Sequence, residues 1–116
     1  MMESIYKHNV PSLSSARFNR QVGVFLRGRR VALGLTGQQL GQILHLSQQQ
    51  ISRYERGITS MTLHQLQVFM RVLAFSWWDF FNGVIIELEK EEERNKLAQT
   101  NASWPLSRHD VSETLS

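Results

Sequence analysis

Cysteine is absent from this chain of 116 residues. Disulfide bonds, thiolate zinc sites and cysteine nucleophiles are therefore excluded, which fits a reducing compartment. Long apolar runs are also lacking, because polar and charged side chains interrupt the most apolar stretch, residues 63–88, at His64, Gln65, Gln67, Arg71, Asp79 and Asn82. A membrane span does not carry such residues, and residues 1–11 lack the apolar core of a signal peptide. We therefore expect a cytoplasmic protein.

Acidic side chains are scarce in the first 86 residues, which carry three of them against nine lysines and arginines. The last thirty residues reverse this balance, with seven acidic and four basic side chains. The body is therefore basic and the tail acidic, while the formal net charge of the whole chain is +3. A basic body suits a polyanionic partner such as nucleic acid.

Signatures of catalysis and of metal binding are missing as well. The four histidines are scattered, and no pair of them has the spacing of metal ligands. The chain has no phosphate-binding glycine loop, no nucleophile elbow and no catalytic pair of carboxylates. We therefore expect no enzyme, no metal site and no cofactor.

The pattern of apolar residues predicts an all-α protein, with five short helices and a sixth trailing helix. Residues 14–82 are expected to form the domain and residues 83–99 the trailing helix. A flexible arm is expected over residues 1–13, and a disordered tail over residues 100–116. Local signals place the ends of the helices. The predicted N-caps are Ser14 or Ser15, Thr36, Ser47, Thr62 and Ser76, the predicted stops are Gly34 and Gly57, and Asn82-Gly83 predicts a turn.

The most informative segment is residues 35–57, LTGQQLGQILHLSQQQISRYERG. It predicts two short capped helices on either side of a turn of about three residues. A second helix of this kind fits the major groove of DNA, where glutamine bonds adenine and arginine bonds guanine bidentately. The groups placed for such contacts, with a serine hydroxyl at the helix start, are Ser47, Gln48, Gln49, Gln50 and Arg53.

Residues 19–82 resemble the Cro/CI-type repressors, also called the XRE-type helix-turn-helix family. The matching strings are LGLT at 33–36, QQL at 38–40, SQQQISRYERG at 47–57, TLHQLQVFMRVL at 62–73 and SWWDFF at 76–81. The resemblance implies a five-helix, lambda-repressor-like domain that binds double-stranded operator DNA and regulates transcription. Three positions depart from the family pattern: His45 stands where the turn often has glycine, Gly37 replaces a polar residue that often contacts DNA, and Gly41 stands where alanine is usual.

Roles for individual residues follow from this resemblance. Gln48, Gln49 and Arg53 match base-reading positions, and Gln38 and Ser47 match positions near phosphate. A buried ion pair that joins the first helix to the third, and so orients the reading helix, is implied for Arg30 and Glu55. From their charge alone, further phosphate contacts are predicted for Arg27, Arg29 and Arg56, with an ordinary solvated surface as the alternative.

A narrower likeness concerns SQQQISRYE, residues 47–55. This string is similar to that of the MrpJ-type regulators encoded with enterobacterial fimbrial operons. The likeness implies a regulator that coordinates fimbrial expression with repression of flagellar motility genes. The chain has no room for a separate ligand-sensing domain, so we expect no small-molecule effector.

Two other functions remain open. The acidic tail and the aromatic cluster also fit a protein-interaction module, such as an antitoxin-like helix-turn-helix protein. A non-specific architectural DNA binder is the third alternative, although the sequence lacks the apolar wedges of minor-groove binders.

The aromatic cluster of residues 77–81 predicts a self-contact. Most of its rings are expected in the core, but five short helices cannot bury every one of them. The exposed members would pair two copies across a two-fold axis that matches two DNA half-sites. The predicted homodimer contact comprises Trp77, Trp78, Phe81, Val84, Ile85 and Leu88. The acidic run 87–93 is expected to be a solvated face, because it lacks sustained heptads.

Overall fold

The computed structural model describes residues 14–103, with side chains as far as residue 99. All the regular secondary structure in this part of the chain is helical, which confirms the predicted all-α class. Its α-helices are α1 Ser15–Ala32, α2 Gly37–Leu44, α3 Gln48–Glu55, α4 Leu63–Val72, α5 Trp77–Phe80 and α6 Glu87–Ser103. A π-helical turn, Phe81–Ile86, joins α5 to α6. The predicted arm, residues 1–13, lies outside the described residues, and so does the predicted tail apart from residues 100–103, which continue α6.

Side-chain caps determine where these helices begin. Ser14 Oγ accepts the Arg17 N–H at 3.2 Å, and the next four caps each close a capping box. In a capping box the hydroxyl accepts a backbone N–H three residues ahead, and the side chain at that position accepts the N–H of the cap residue. The pairs are Thr36–Gln39, Ser47–Gln50, Thr62–Gln65 and Ser76–Asp79. The predicted N-caps are confirmed.

The cap of α5 makes stability sensitive to acid. The carboxylate of Asp79 accepts the Ser76 N–H at 2.9 Å, and hydrogen bonds from the backbone and then the side chain of Ser76 lower the pKa of Asp79 below its ordinary 3.8. A group whose pKa is lower in the folded state than in the unfolded state stabilises the folded state at pH values above its ordinary pKa. This stabilisation is lost as the pH falls through the pKa of the folded state.

We therefore expect Asp79→Asn to lower the melting temperature at neutral pH, and the difference from the wild type to shrink as the pH falls below the ordinary value of 3.8. Thermal unfolding followed by circular dichroism measures both values. Glu93→Gln is the control, because the side chain of Glu93 is exposed and has no hydrogen bond or ion pair among the described residues. A difference that stays constant over the whole pH range would contradict the role of the carboxylate.

A single core holds the helices together. α3 packs against both α1 and α2, and Leu26, Leu40, Leu73 and Val84 are completely buried. These four residues come from α1, α2, the end of α4 and the π-helical turn, so each of these elements is anchored in the same core. The buried apolar residues are Val22, Leu26, Leu40, Ile51, Leu66, Phe69, Met70, Leu73, Phe75, Phe80, Val84 and Leu88.

The predicted turn at Asn82-Gly83 is wrong, because the chain stays helical from Trp77 onward. Gly83 instead lies directly against the ring of Phe25 in α1, where a Cβ atom would overlap the ring carbons. Gln21 Nε2 also donates to the Gly83 carbonyl oxygen at 3.2 Å. Gly83 therefore allows the π-helical turn to pack closely against α1, and it does not reverse the chain.

Two of the predicted dimer residues are also corrected. Val84 is 0% exposed and Leu88 is 5% exposed, so both belong to the core of the single chain and neither reaches a partner. By contrast, Trp77, Trp78 and Phe81 are exposed and Ile85 is half-buried.

Across the described residues, no single helix combines the length and apolar character needed to cross a membrane. Only α4 and the helical stretch Trp77–Gln99 together meet that requirement, with a bend of 108° between them.

Candidate nucleic-acid interface

The turn between α2 and α3 is tight and depends on two unusual residues. His45 adopts a left-handed conformation with φ of 58°, and the Leu46 N–H donates to the Gly41 carbonyl oxygen at 2.8 Å. A Cβ atom on Gly41 would lie 2.5 Å from the Leu46 carbonyl oxygen, so alanine does not fit in this arrangement. The turn is residues 45–47, as the sequence predicted, and it directs α3 away from α2.

One side of α3 is fixed in the core and the other side is free. Ile51 is 1% exposed, and the Tyr54 ring packs edge-on against Phe69 with 5.8 Å between centroids. Gln48, Gln49 and Arg53 are exposed, and none of their side chains has a hydrogen-bond partner among the described residues. Their amide and guanidinium groups are therefore available to a partner, as base reading requires.

The structure does not support base reading by Gln50. Its Oε1 accepts the Ser47 N–H at 2.9 Å, so the amide oxygen is engaged in the capping box. A bidentate contact with adenine needs both the oxygen and the nitrogen of the amide. The Ser47 hydroxyl accepts the Gln50 N–H at 3.1 Å and donates to Gln50 Oε1 at 3.3 Å, so its predicted phosphate contact competes with the cap. The spacing Ser-x-x-Gln is the signal that indicates this box.

The ion pair implied for Arg30 and Glu55 is present. Arg30 Nε donates to Glu55 Oε2 at 2.6 Å, and Nη2 donates to Oε1 at 2.9 Å. Nη1 donates to the Leu35 carbonyl oxygen at 2.8 Å. The hydrogen bonds to Glu55 raise the pKa of Arg30, against a smaller opposing effect of burial. One guanidinium thus joins α1, the segment before α2 and the last residue of α3, which sets the orientation of α3.

A basic cleft of about 310 Å³ lies between α1, the start of α2 and one flank of α3. Its rim carries Arg27 from α1, Gln48 and Ser52 from α3, and Arg56 just after α3, and the ion pair also lines it. Arg56 Nε donates to Ser52 Oγ at 3.1 Å, which leaves its Nη groups free, and Arg27 has no partner among the described residues. Gln38 is exposed at the second position of α2. Two guanidinium groups without carboxylate partners among the described residues, beside α3, suit a phosphate backbone.

Arg29 has a different role from the predicted phosphate contact. Its Nη2 donates to the carbonyl oxygens of Leu73 and Ala74, at 3.1 and 2.7 Å. These carbonyls lie at the end of α4, where the helix has no partners of its own for them. Arg29 therefore caps α4, and no local signal indicates this contact because its partners lie 44 and 45 residues away along the chain.

Comparison with known proteins supports the interpretation of this region. Residues 21–76 match the sequence model of a family described as "Helix-turn-helix domain". The structure is similar to that of the clp gene regulator ClgR from Corynebacterium glutamicum, with 22% sequence identity and a TM-score of 0.67 over 82% of this chain and 99% of that chain. A comparison with curated proteins gave no match. Within residues 21–76, α2, the turn 45–47 and α3 form a helix-turn-helix arrangement.

Proposed function

We propose that this protein is a transcription regulator that binds double-stranded DNA and reads its sequence in the major groove. The observation that carries the proposal is the free face of α3. The side chains of Gln48, Gln49 and Arg53 are exposed there without partners in the described part of the chain, and Arg27 and Arg56 lie nearby without carboxylate partners in that part. The match of residues 21–76 to a helix-turn-helix family gives independent support.

Phosphate contacts and base contacts have different roles in DNA recognition. Arg27 and Arg56, with Gln38 at the start of α2, bind phosphates and set the position of the domain on the duplex. Gln49 and Arg53 then reach base edges, where an amide selects adenine and a guanidinium selects guanine. These contacts need α3 at a defined angle to the DNA, and the Arg30–Glu55 ion pair holds that angle by joining α3 to α1.

The likeness of residues 47–55 to the MrpJ-type regulators extends the proposal to a biological role. The protein binds promoter operators as a homodimer in the cytoplasm, represses flagellar motility genes and so coordinates motility with fimbrial expression. In this proposal it acts without catalysis, cofactor or small-molecule effector. The role is tested by measuring flagellar transcripts and swimming in an enterobacterial host that overproduces the protein. Unchanged transcripts would contradict the motility role and leave DNA binding untouched.

Selection of duplexes from random DNA tests the main proposal. The full chain is incubated at near-physiological salt with excess non-specific competitor, and bound duplexes are sequenced. We expect an enriched motif with two-fold symmetry, whose affinity falls steeply as salt rises. Folded protein that enriches no motif would overturn the proposal. It would favour the second candidate, a protein-interaction module, for which the exposed Trp77, Trp78 and Phe81 are the specific support.

Gln49→Ala is expected to relax base choice at one position of the selected motif. Loss of a bidentate contact costs about 1–3 kcal/mol, or roughly 5- to 150-fold in affinity for the preferred base. Titration of duplexes carrying each of the four bases at that position measures this preference. Gln67→Ala is the control, because Gln67 is also an exposed helical glutamine but lies on α4. An equal loss on all four duplexes would contradict base reading by Gln49.

A further inference from the structure

A row of arginines lies along the junction of α1 and α3. Arg20 and Arg27 are seven residues apart in α1, so they lie within about 20° of each other around the helix axis and about 10 Å apart along it. Both side chains are exposed. Arg27 lines the basic cleft together with Arg56. The geometry of α1 therefore extends the row of positive charge past the end of the cleft, as far as Arg20.

Close packing of two backbones brings Arg20 next to the end of α3. Gly57 directly follows Arg56 and has φ of 73°, and a Cβ atom on it would lie 2.6 Å from the N and Cα atoms of Arg20. Glycine allows this approach because it has no Cβ atom. In the same turn of α1, Asn19 Nδ2 donates to Ser60 Oγ at 2.9 Å. The first turns of α1 and the end of α3 are thus held together at one corner of the domain.

The charge of Arg20 is not neutralised within the described part of the chain. Its side chain has no hydrogen bond or ion pair among the described residues. Two carboxylates that contact α1 are already paired with other arginines. Glu55 accepts two hydrogen bonds from Arg30, and Glu91 Oε2 lies 3.7 Å from Arg17 Nη2. The guanidinium of Arg20 is therefore available to an anion that does not belong to residues 14–99.

A DNA backbone fits a row of charges of this length. Each strand of B-DNA carries one phosphate per 3.4 Å or so of helix axis, so a row of about 10 Å passes more than one phosphate. The guanidinium group binds phosphate bidentately, because its N–H donors form a planar fork. A backbone that contacts Arg27 and Arg56 at the cleft therefore finds the next cation of the row at Arg20.

We propose that Arg20 binds a further phosphate of the DNA backbone, next to those that Arg27 and Arg56 bind. This inference rests on the proposed function, whose phosphate contacts do not include Arg20. A phosphate contact carries no base information, so it strengthens binding to every sequence and makes binding more sensitive to salt. The contact also holds the first turns of α1 against the duplex, and α1 in turn supports α3 through the Arg30–Glu55 pair.

The salt dependence of binding tests this contact. The full chain is titrated at 50–200 mM salt with a duplex that carries the selected motif and with an unrelated duplex. Each phosphate contact adds about 0.9 to the steepness with which log affinity falls against log salt. For Arg20→Gln we expect a slope that is shallower by about 0.9 on both duplexes. The ratio of wild-type to variant affinity should then fall roughly 3.5-fold between 50 and 200 mM salt.

Two further variants separate the contact from a general effect of charge. Arg20→Lys should keep the wild-type slope, because it keeps the positive charge. Arg94→Gln should also keep it, because Arg94 is exposed and without a partner among the described residues but lies on α6. Circular dichroism shows that all three variants are folded. A wild-type slope for Arg20→Gln, or an equal change for Arg94→Gln, would overturn the inference.

Duplexes in which a neutral methylphosphonate replaces one phosphate at a time locate the contact. We expect one position at which the replacement weakens binding of the wild type but not of Arg20→Gln, and a different position that depends on Arg56→Gln in the same way. Replacements that affect the wild type and Arg20→Gln equally at every position would contradict the contact.

Failure of the proposed function gives a different result. Wild-type protein that binds neither duplex would overturn that function, and the inference with it. Equal affinity of the wild type for both duplexes would contradict only sequence reading, and a shallower slope for Arg20→Gln would then still support the phosphate contact.

Discussion

Replacement of Glu55 by alanine is expected to lower the free energy of unfolding by about 3–5 kcal/mol, because it leaves a largely buried arginine without its partner. The side chains of Arg30 and Glu55 are 13% and 7% exposed, so water does not replace the lost contacts freely. The variant loses two hydrogen bonds, from Arg30 Nε at 2.6 Å and from Arg30 Nη2 at 2.9 Å. Since the pair also orients α3, we expect weaker binding to every DNA sequence as well.

Arg30 does not reduce this destabilisation by losing its proton. The hydrogen bonds to Glu55 raise the pKa of Arg30 above its ordinary value. A group whose pKa is higher in the folded state than in the unfolded state stabilises the fold fully at pH values below its ordinary pKa. This stabilisation is lost only as the pH rises through the pKa of the folded state. Around neutral pH the guanidinium therefore stays charged with or without Glu55, and the destabilisation is independent of pH there.

Urea unfolding of the wild type and the variant at pH 7 measures the effect. Glu93→Ala is the matched control, because it removes an exposed carboxylate of α6 that has no partner among the described residues. The double variant Arg30→Met, Glu55→Leu removes both charges and should be more stable than Glu55→Ala alone. A loss below about 1 kcal/mol for Glu55→Ala would show that the pair behaves as a solvated surface contact.

Local signals explain why the motif itself was predictable. The caps Thr36 and Ser47 and the turn between them depend on neighbouring residues, so their pattern is complete within a few positions of the sequence. The role of Gln50 cannot be predicted from these local signals. A glutamine at the third position of a capped helix suits both base reading and the capping box, and only the hydrogen bond to Ser47 distinguishes them.

Contacts between distant segments account for the wrong predictions. Arg29 has the same charge and the same helix as Arg27, but its partners lie at the end of α4. The helical stretch that starts at Trp77 carries two apolar stripes, one through Phe80, Val84 and Leu88 and the other through Trp78, Phe81 and Ile85. Hydrophobicity alone does not indicate which stripe faces α1. Contact of Gly83 with Phe25 orients the first stripe toward the core.

A pair of identical substitutions in α1 is expected to have opposite effects on stability. Gly23 and Gly28 are both interior to this helix, but only Gly23 faces α3. A Cβ atom on Gly23 would lie 2.6 Å from the Tyr54 carbonyl oxygen and would also overlap the Glu55 carbonyl. These are backbone atoms, which cannot rotate away as a side chain does, so α3 must move as a body. A Cβ atom on Gly28 meets no other atom within 4 Å.

We therefore expect Gly23→Ala to destabilise the fold by about 3 kcal/mol, at the upper end of the usual cost of overpacking. Gly28→Ala should stabilise it by about 0.5–1 kcal/mol, the gain in helix propensity at a position without clashes. Urea unfolding of the two variants measures both changes. Equal effects would contradict the close approach of α1 and α3.

Displacement of α3 by Gly23→Ala should also strain the Arg30–Glu55 pair, because Glu55 is the last residue of α3 and its backbone is one of the two points of overlap. The losses of unfolding free energy caused by Gly23→Ala and by Glu55→Ala should then not be additive. Their double variant is expected to lose at least about 0.5 kcal/mol less than the two single variants together. Gly28→Ala combined with Glu55→Ala should be additive, because Gly28 does not contact α3. Additivity in both combinations would mean that the packing of α1 on α3 and the ion pair act independently on the reading helix.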